Sequence, residues 1–157
     1  MRVCVGVLML TLTSGAAAEP LRLSDFGAAT TRAAISNQLQ NCQASPTVQG
    51  QTVCVLNRSD LAGVPLVGPM ALAQFQDDRL QTVSMVASGR FQSVSRVLAE
   101  RYGRPVRANS NRVRQNDGRM ATLRNTVWTF DDGQIQLFTA EVPGNPQGNI
   151  VQFTWRR

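Results

Sequence analysis

"TVWTFDDGQIQLF", residues 126–138, is the stretch that decides the fold class. Two runs of alternating apolar and polar residues, 126–130 and 134–138, flank Asp131-Asp132-Gly133. Alternation with a period of two is typical of a strand with one buried side, and an Asp-Gly break between two such runs predicts a β-hairpin. The sequence therefore predicts antiparallel sheet, with Trp128 facing the core.

Further strands are predicted on both sides of this hairpin. Residues 51–56 are β-branched and alternate, residues 71–75 and 80–86 flank an acidic turn, and residues 150–155 alternate with Trp155 facing the core. Residues 61–70 hold two glycines and two prolines. That composition predicts a loop or a ragged edge strand.

Two segments have the spacing of amphipathic helices. The first follows a cap at Thr30 or Thr31. Its apolar face consists of Ala34, Ile35, Leu39 and Cys42. The second runs from Arg90 to Tyr102 after a cap at Ser88, and Gly103 ends it.

The predicted fold class is α+β, a mostly antiparallel sheet with two helices on one face, in the order α-β-β-β-α-β-β-β. The other face of the sheet is expected to meet water or a partner. "FQDDRLQTV" and "FDDGQIQLF", residues 75–83 and 130–138, follow their helices at matching places. This similarity indicates either a degenerate internal duplication or two ordinary acidic turns.

The N-terminus has the pattern of a cleaved secretory signal peptide at residues 1–18. Arg2 precedes an apolar run, and Ala16-Ala17-Ala18 supplies the small residues of a cleavage site. Residues 19–157 are then predicted to form a single α+β domain, without a transmembrane segment after cleavage. The expected location is periplasmic or secreted. In such a compartment Cys42 and Cys54 are predicted to form a disulfide.

The sequence offers few groups for catalysis. The chain contains no histidine and no lysine, so nucleophile–base pairs and zinc sites lack their usual members. Asp77/Asp78 and Asp131/Asp132 are the dense carboxylate pairs, and aspartate is also a common turn residue. We therefore expect no catalytic residue, no metal site and no cofactor, with a carboxylate-dependent hydrolase as the enzymatic alternative.

Residues 101–124, the arginine-rich stretch, hold seven arginines and one acid, Asp117. The candidates for anion binding are Arg104, Arg107, Arg112, Arg114, Arg119 and Arg124. Such a cluster suits the phosphates of lipopolysaccharide or phospholipid headgroups. Nucleic acid is disfavoured because Tyr102 is the aromatic residue available for stacking. The alternative is a solvated, charge-rich loop around the turn at Asp117-Gly118.

Two segments resemble small exported proteins of Gram-negative bacteria. "FQSVSRVLAERYGRP", residues 91–105, and "VWTFDDGQIQL", residues 127–137, are similar to their helix ending in Tyr-Gly-x-Pro and their Trp-containing hairpin. "FGAATTRAAISNQL", residues 26–39, resembles the threonine-capped first helix of small outer-membrane assembly lipoproteins. The layout is also similar to β-lactamase-inhibitor-like domains. The resemblance implies an exported α+β protein, and it transfers no catalytic residue to this sequence.

The leading expectation is a non-enzymatic envelope protein that binds another periplasmic or outer-membrane protein. The alternative is a binder of anionic surfaces that acts through the arginine-rich stretch.

Overall fold

Nine β-strands, one α-helix and one 3-10 helix make up the described part of the chain. The structure is a computed structural model that describes residues 19–142 and 148–156. The signal peptide predicted at residues 1–18 lies outside the described residues. The strands are β1 (Leu39–Ala44), β2 (Gln51–Asn57), β3 (Asp60–Leu61), β4 (Val64–Gln76), β5 (Arg79–Ala87), β6 (Arg107–Arg114), β7 (Met120–Phe130), β8 (Gly133–Glu141) and β9 (Asn149–Trp155), and the helices are η1 (Ala33–Gln38, 3-10) and α1 (Phe91–Tyr102).

All strands belong to one antiparallel sheet. Its order is β1-β2-β4-β5-β9-β8-β7-β6, and the short β3 pairs with the beginning of β4. Strands β5 and β9 meet in the middle, with Val83 opposite Phe153. The two edges of the sheet are therefore β1 and β6.

The predicted α+β class with two helices on one face is wrong. The described residues form a mostly antiparallel β-sheet on which α1 is the one helix longer than the six-residue η1. The alternating stretches are strands as predicted. Strands β1, β3 and β6 are missing from the predicted order α-β-β-β-α-β-β-β.

The predicted first helix fails because its second half pairs with β2. Ala33–Gln38 forms a short 3-10 helix in which Ile35 is buried, and Leu39–Ala44 continues as β1. The segment has one serine and two asparagines, which are weak helix formers, but also three alanines and three glutamines, which are good ones, so its composition does not prevent a helix. Pairing with β2 gives it a ladder of backbone hydrogen bonds. These tertiary contacts outweigh the local helical spacing.

The second predicted helix is confirmed as α1. It buries Val94 and Leu98, and it ends at Gly103, whose φ of 79° favours glycine. The predicted cap at Ser88 is wrong, because the N-cap residue is Arg90. Ser88 instead donates its backbone N–H and its hydroxyl to the carbonyl of Pro65, at 2.9 and 3.3 Å.

Residues 61–70 form a hairpin turn and the first part of β4. Ala62 and Gly63 have φ values of 57° and 74°, the conformation of a two-residue hairpin turn between Leu61 and Val64. The pairing of β4 with β5 is then interrupted between Leu66 and Ala71. The segment is therefore a ragged strand, but it is not the edge strand predicted as an alternative to a loop, because β4 lies between β2 and β5.

The two acidic turns lie at different places in the sheet. The turn at 77–78 joins β4 to the central strand β5, whereas the turn at 131–132 joins β7 to β8, one strand farther from the centre. The two turns are therefore not equivalent positions. Each half of the sheet is nevertheless a helix followed by a four-stranded meander, η1 before β1, β2, β4 and β5, and α1 before β6, β7, β8 and β9. The internal duplication stays a prediction.

The core lies between the sheet and α1. Trp128 and Trp155 are buried, as predicted, with 1% and 3% of their surfaces exposed. Gly133 begins β8 beneath the N-terminal segment, where a Cβ atom would collide with the carbonyl oxygen of Thr154 and the side chain of Leu21. Close packing therefore requires a glycine at this position of the β7–β8 hairpin. The largest fully buried side chains are Trp128, Phe26, Phe75, Phe153, Leu21, Leu23, Leu56, Leu61, Leu98, Ile135, Leu137 and Val64.

Three side chains hold the N-terminal segment on the same side of the sheet as α1. The indole N–H of Trp155 donates to the carbonyl of Leu21 at 3.1 Å, and the hydroxyl of Tyr102 donates to the carbonyl of Arg22 at 2.8 Å. A carboxylate oxygen of Asp132 accepts the backbone N–H of Leu21 at 2.6 Å. Burial raises the pKa of Tyr102, although the charge of Arg101 opposes this shift. This packing assigns one whole side of the sheet to the core.

Candidate functional site

The side of the sheet opposite α1 is called the open face. Residues of η1, α1 and the N-terminal segment all belong to the single core cluster, so they lie on the other side. Alternate residues along each strand point away from that core. The open face therefore spans eight paired strands, from edge strand β1 to edge strand β6.

Apolar side chains occupy the middle of the open face. Val55 is opposite Leu72, Val86 is opposite Ile150, and Ile150 is opposite Phe138. Leu72 and Val86 are 51% and 41% exposed. We call the following set the apolar patch: Val55, Leu72, Val86, Leu123, Phe138 and Ile150.

Two adjoining hollows give the apolar patch a concave shape. The first has a volume of about 400 Å³, and Leu72, Val86 and Ile150 are among the residues that line it. The second has a volume of about 440 Å³, and its lining includes Leu123, Phe138 and again Ile150. Ile150 therefore joins the two hollows at the middle of the face.

The side chains around the apolar patch are uncharged amides and hydroxyls. Strand alternation places the following on this face: Gln40, Gln43, Gln51, Gln74, Gln76, Thr82, Ser84, Asn109, Asn111, Asn125, Thr129, Gln134, Gln136, Gln152 and Thr154. Within the described strands, the charged residues on this side are Arg79, at the start of β5, Arg107, in edge strand β6, and Asp60, in the short β3, where the neighbouring Leu61 points into the core. The face is therefore neutral across its central strands.

Sequence reasoning predicted a free sheet face but missed its chemistry. The signal lies in the polar positions of the alternating runs, which are glutamine and threonine in Gln134, Gln136, Gln152 and Thr154. A sheet face that only meets water has no reason to avoid charge. The absence of charged residues at these alternating positions was therefore the sequence signal that could have predicted a binding face.

The structure divides the predicted anion-binding arginines among several places. Arg112 and Arg114 are opposite Thr122 and Met120, so they point to the helix side of the sheet together with Arg124. Arg107 is opposite Val127 and points to the open face. Arg104 precedes β6, and Arg119 follows the β6–β7 turn. The arginine-rich stretch is thus a two-stranded ribbon with arginines on both sides, and anion binding by it stays a prediction.

Two of these arginines form ion pairs within the chain. Arg119 contacts Asp117 at 2.7 Å, and Arg124 contacts Glu141 at 3.1 Å while lying over the ring of Phe91. The hydrogen bonds from Arg119 hold the pKa of Asp117 below its ordinary value of 3.8. The chain turns between β6 and β7 at Asp117-Gly118, as predicted, with Gly118 at a φ of 81°.

Arg107, Arg112 and Arg114 have no carboxylate within ion-pair distance among residues 19–142 and 148–156. All of them lie on β6, an edge strand whose eight residues are all exposed. Three positive charges are therefore presented along one edge of the sheet.

Two of the candidate carboxylates, Asp132 and Asp78, make contacts that stabilise the fold. Asp132 accepts the backbone N–H of Leu21, and Asp78 forms an ion pair with Arg32 at 3.1 Å. Asp77 and Asp78 have φ values of 50° and 67°, as in a two-residue hairpin turn. These contacts agree with the interpretation of the pairs as turn residues.

The predicted disulfide between Cys42 and Cys54 is confirmed, and it joins neighbouring strands β1 and β2. It does not join a helix to a strand, because residue 42 lies in β1. Among the described residues, no helix is long and apolar enough to cross a membrane. The disulfide is compatible with an extracellular or periplasmic location.

Comparison of the chain with protein-family models, curated proteins and solved structures gives no match.

Proposed function

We propose that this chain is a non-enzymatic, exported binding module whose open face takes a protein partner of the bacterial envelope. The observation that carries the proposal is the exposed apolar patch in the middle of a neutral sheet face. Interface centres are depleted of charge, because a charged group there must lose its water. Leu72, Val86 and Leu123 leave between 41% and 51% of their surfaces exposed in the free chain.

The dimensions of the open face suit a specific protein interface. Eight strands at a spacing of about 4.8 Å make it about 35 Å wide, and seven residues make it about 23 Å long. The product is about 800 Å², the area that one partner contributes to a standard-sized interface. The surrounding glutamines and threonines supply donors and acceptors for a polar rim.

The partner is expected to present an uncharged surface with an apolar centre. A strongly acidic or basic partner would lose hydration on the central strands without gaining an ion pair there. The disulfide and the predicted signal peptide support a periplasmic or secreted location, where such a partner would be met.

A matched pair of substitutions tests this proposal. Val86 lies in the apolar patch and is 41% exposed, whereas Val48 lies in the β1–β2 loop and is 43% exposed. The tagged wild type, Val86→Arg and Val48→Arg are used to capture proteins from an envelope extract, and the affinity of each recovered protein is then measured. We expect Val86→Arg to weaken binding by at least about thirtyfold, because it places an unpaired charge in the interface. Val48→Arg should change the affinity less than about twofold.

The proposal fails if every recovered partner binds Val86→Arg as tightly as the wild type. It also fails if the open face binds only a second copy of the chain, which sedimentation at increasing concentration would reveal. Leu72→Arg is the second variant, and its circular dichroism establishes that a loss of binding is not a loss of folding.

A further inference from the structure

We infer that edge strand β6 is a docking site for an acidic, extended segment of another protein, which adds to the sheet as a further strand. This site is separate from the open face. It would bring a short peptide to the sheet edge, whereas the open face would bind a folded surface.

The first observation is the geometry of β6. All eight residues from Arg107 to Arg114 are exposed, and they pair with β7 in an unbroken antiparallel register. No other described strand pairs with the outer side of β6. A regularly paired strand with one free side is the requirement for strand addition.

The opposite edge of the sheet does not offer this geometry. The register of β1 shifts between Gln40 and Gln43, and Asn41 has a φ of 50°. The interruption disturbs the row of backbone donors and acceptors that an added strand would need. Only β6 therefore presents a regular free edge among the described strands.

The second observation is which backbone groups of β6 are free. In the turn, the N–H of Gln115 donates to the carbonyl of Arg119, so these residues form a hydrogen-bonded pair. Because hydrogen-bonded and non-bonded pairs alternate in an antiparallel ladder, odd-numbered residues of β6 bond to β7. The N–H and C=O groups of residues 108, 110, 112 and 114 consequently point outward.

The third observation is the charge that accompanies these free groups. Arg112 and Arg114 belong to the outward-bonding set, and both side chains point to the helix side of the sheet. Their Cα atoms are about 7 Å apart along the strand. An added strand with carboxylates at alternate positions would place one acidic side chain opposite each arginine.

The positive charge of β6 determines which kind of partner can pair with this strand. A second copy pairing through its own β6 would bring the arginines of two edges together, and like charges on paired strands are destabilising. An anionic membrane would attract the charge but leave the free backbone groups unpaired. An acidic extended segment satisfies both the arginines and the backbone.

The test uses the purified chain and an acetylated ten-residue peptide in which glutamate alternates with threonine or valine. A peptide of the same composition with consecutive glutamates is the control for charge. We expect the alternating peptide to bind at least about tenfold more tightly than the control. NMR hydrogen exchange should show new protection of the amides at 108, 110, 112 and 114, and little change at 109, 111 and 113.

Two substitutions separate charge from backbone pairing. Arg112→Glu should weaken binding about tenfold, and Arg96→Glu on α1, with the same change of charge, less than about twofold. Ser110→Pro keeps every arginine but removes one outward N–H, so it should also weaken binding about tenfold. A peptide N-methylated at alternate residues makes the same test without altering the protein.

The inference is overturned if the alternating peptide does not bind, or if it binds without the alternating amide protection. Equal binding of the consecutive-glutamate peptide or of the N-methylated peptide would show charge attraction without an added strand. Binding only to phosphatidylglycerol vesicles would identify a lipid surface instead. None of these results bears on the proposal for the open face, because that proposal is tested at Val86 in β5 and not at β6.

Discussion

Reduction of the Cys42–Cys54 disulfide is expected to lower the free energy of unfolding by about 3 kcal/mol. The two cysteines are 12 residues apart in sequence. In the chain-entropy relation, a loop of that length restricts the unfolded chain by roughly 9.5 cal/mol/K, which is about 3 kcal/mol at 25 °C. The loss is large compared with the stability of a typical domain, about 5–15 kcal/mol.

Urea denaturation of the oxidised and the reduced protein measures this difference. The reduced protein should have a lower midpoint and a larger dependence on urea, because its unfolded chain exposes more surface. Cys42→Ser with Cys54→Ala is the substituted counterpart. Alanine is chosen at position 54 because this side chain is 1% exposed and a serine hydroxyl would be buried there. A difference below about 1 kcal/mol between oxidised and reduced protein would refute the reasoning.

Two further predictions concern titrating side chains. Tyr102→Phe removes the hydrogen bond to the carbonyl of Arg22 and should cost about 1 kcal/mol of unfolding free energy. Burial raises the pKa of Tyr102 above 10.0. The contribution of Tyr102 to the free energy of unfolding is therefore full below pH 10.0 and is lost as pH rises through the folded-state pKa. Denaturation curves of the two proteins should converge at alkaline pH. Arg119→Gln should raise the pKa of Asp117 toward 3.8, as followed by NMR titration of the carboxyl carbon. In the wild type the contribution of Asp117 to the free energy of unfolding is present above pH 3.8 and is lost as pH falls through its lower folded-state pKa. An unchanged titration of Asp117 in Arg119→Gln would contradict the assignment of the lowered pKa to Arg119.

The strands around the β7–β8 hairpin were predictable because burial of one side gives their apolar residues a period of two. Val151, Phe153 and Trp155 alternate in the sequence and are all buried in β9. Helix α1 was predictable because Gly103 ends an amphipathic segment in the expected way. These elements carry their own local signals, and tertiary contacts reinforce those signals.

The strand β1 was not predictable from local spacing. Ile35 and Leu39 have helical spacing, but the residues after Leu39 pair with β2. The pattern within the segment carries no information about that pairing. Propensity and periodicity describe a segment alone, whereas pairing and the disulfide depend on another segment. The two acidic turns likewise resemble each other in sequence, but they join strands at non-equivalent places in the sheet.

The candidate surfaces were predictable in part. The arginine-rich stretch was located from its composition, but the side of the sheet on which each arginine lies depends on the register of β6 with β7. The apolar patch unites Leu72, Val86 and Ile150 from three strands. Such a patch becomes visible only when the strand order is known.

Site-specific photo-crosslinking tests the account of the open face most directly. A photoreactive phenylalanine analogue is placed at position 72 or 123 in the apolar patch, and at position 48 or 96 as controls away from it. In cells that express the chain, we expect positions 72 and 123 to capture the same partner protein and positions 48 and 96 to capture none. Capture of that partner from positions 48 or 96, with none from 72 and 123, would contradict the assignment of the open face as the docking surface.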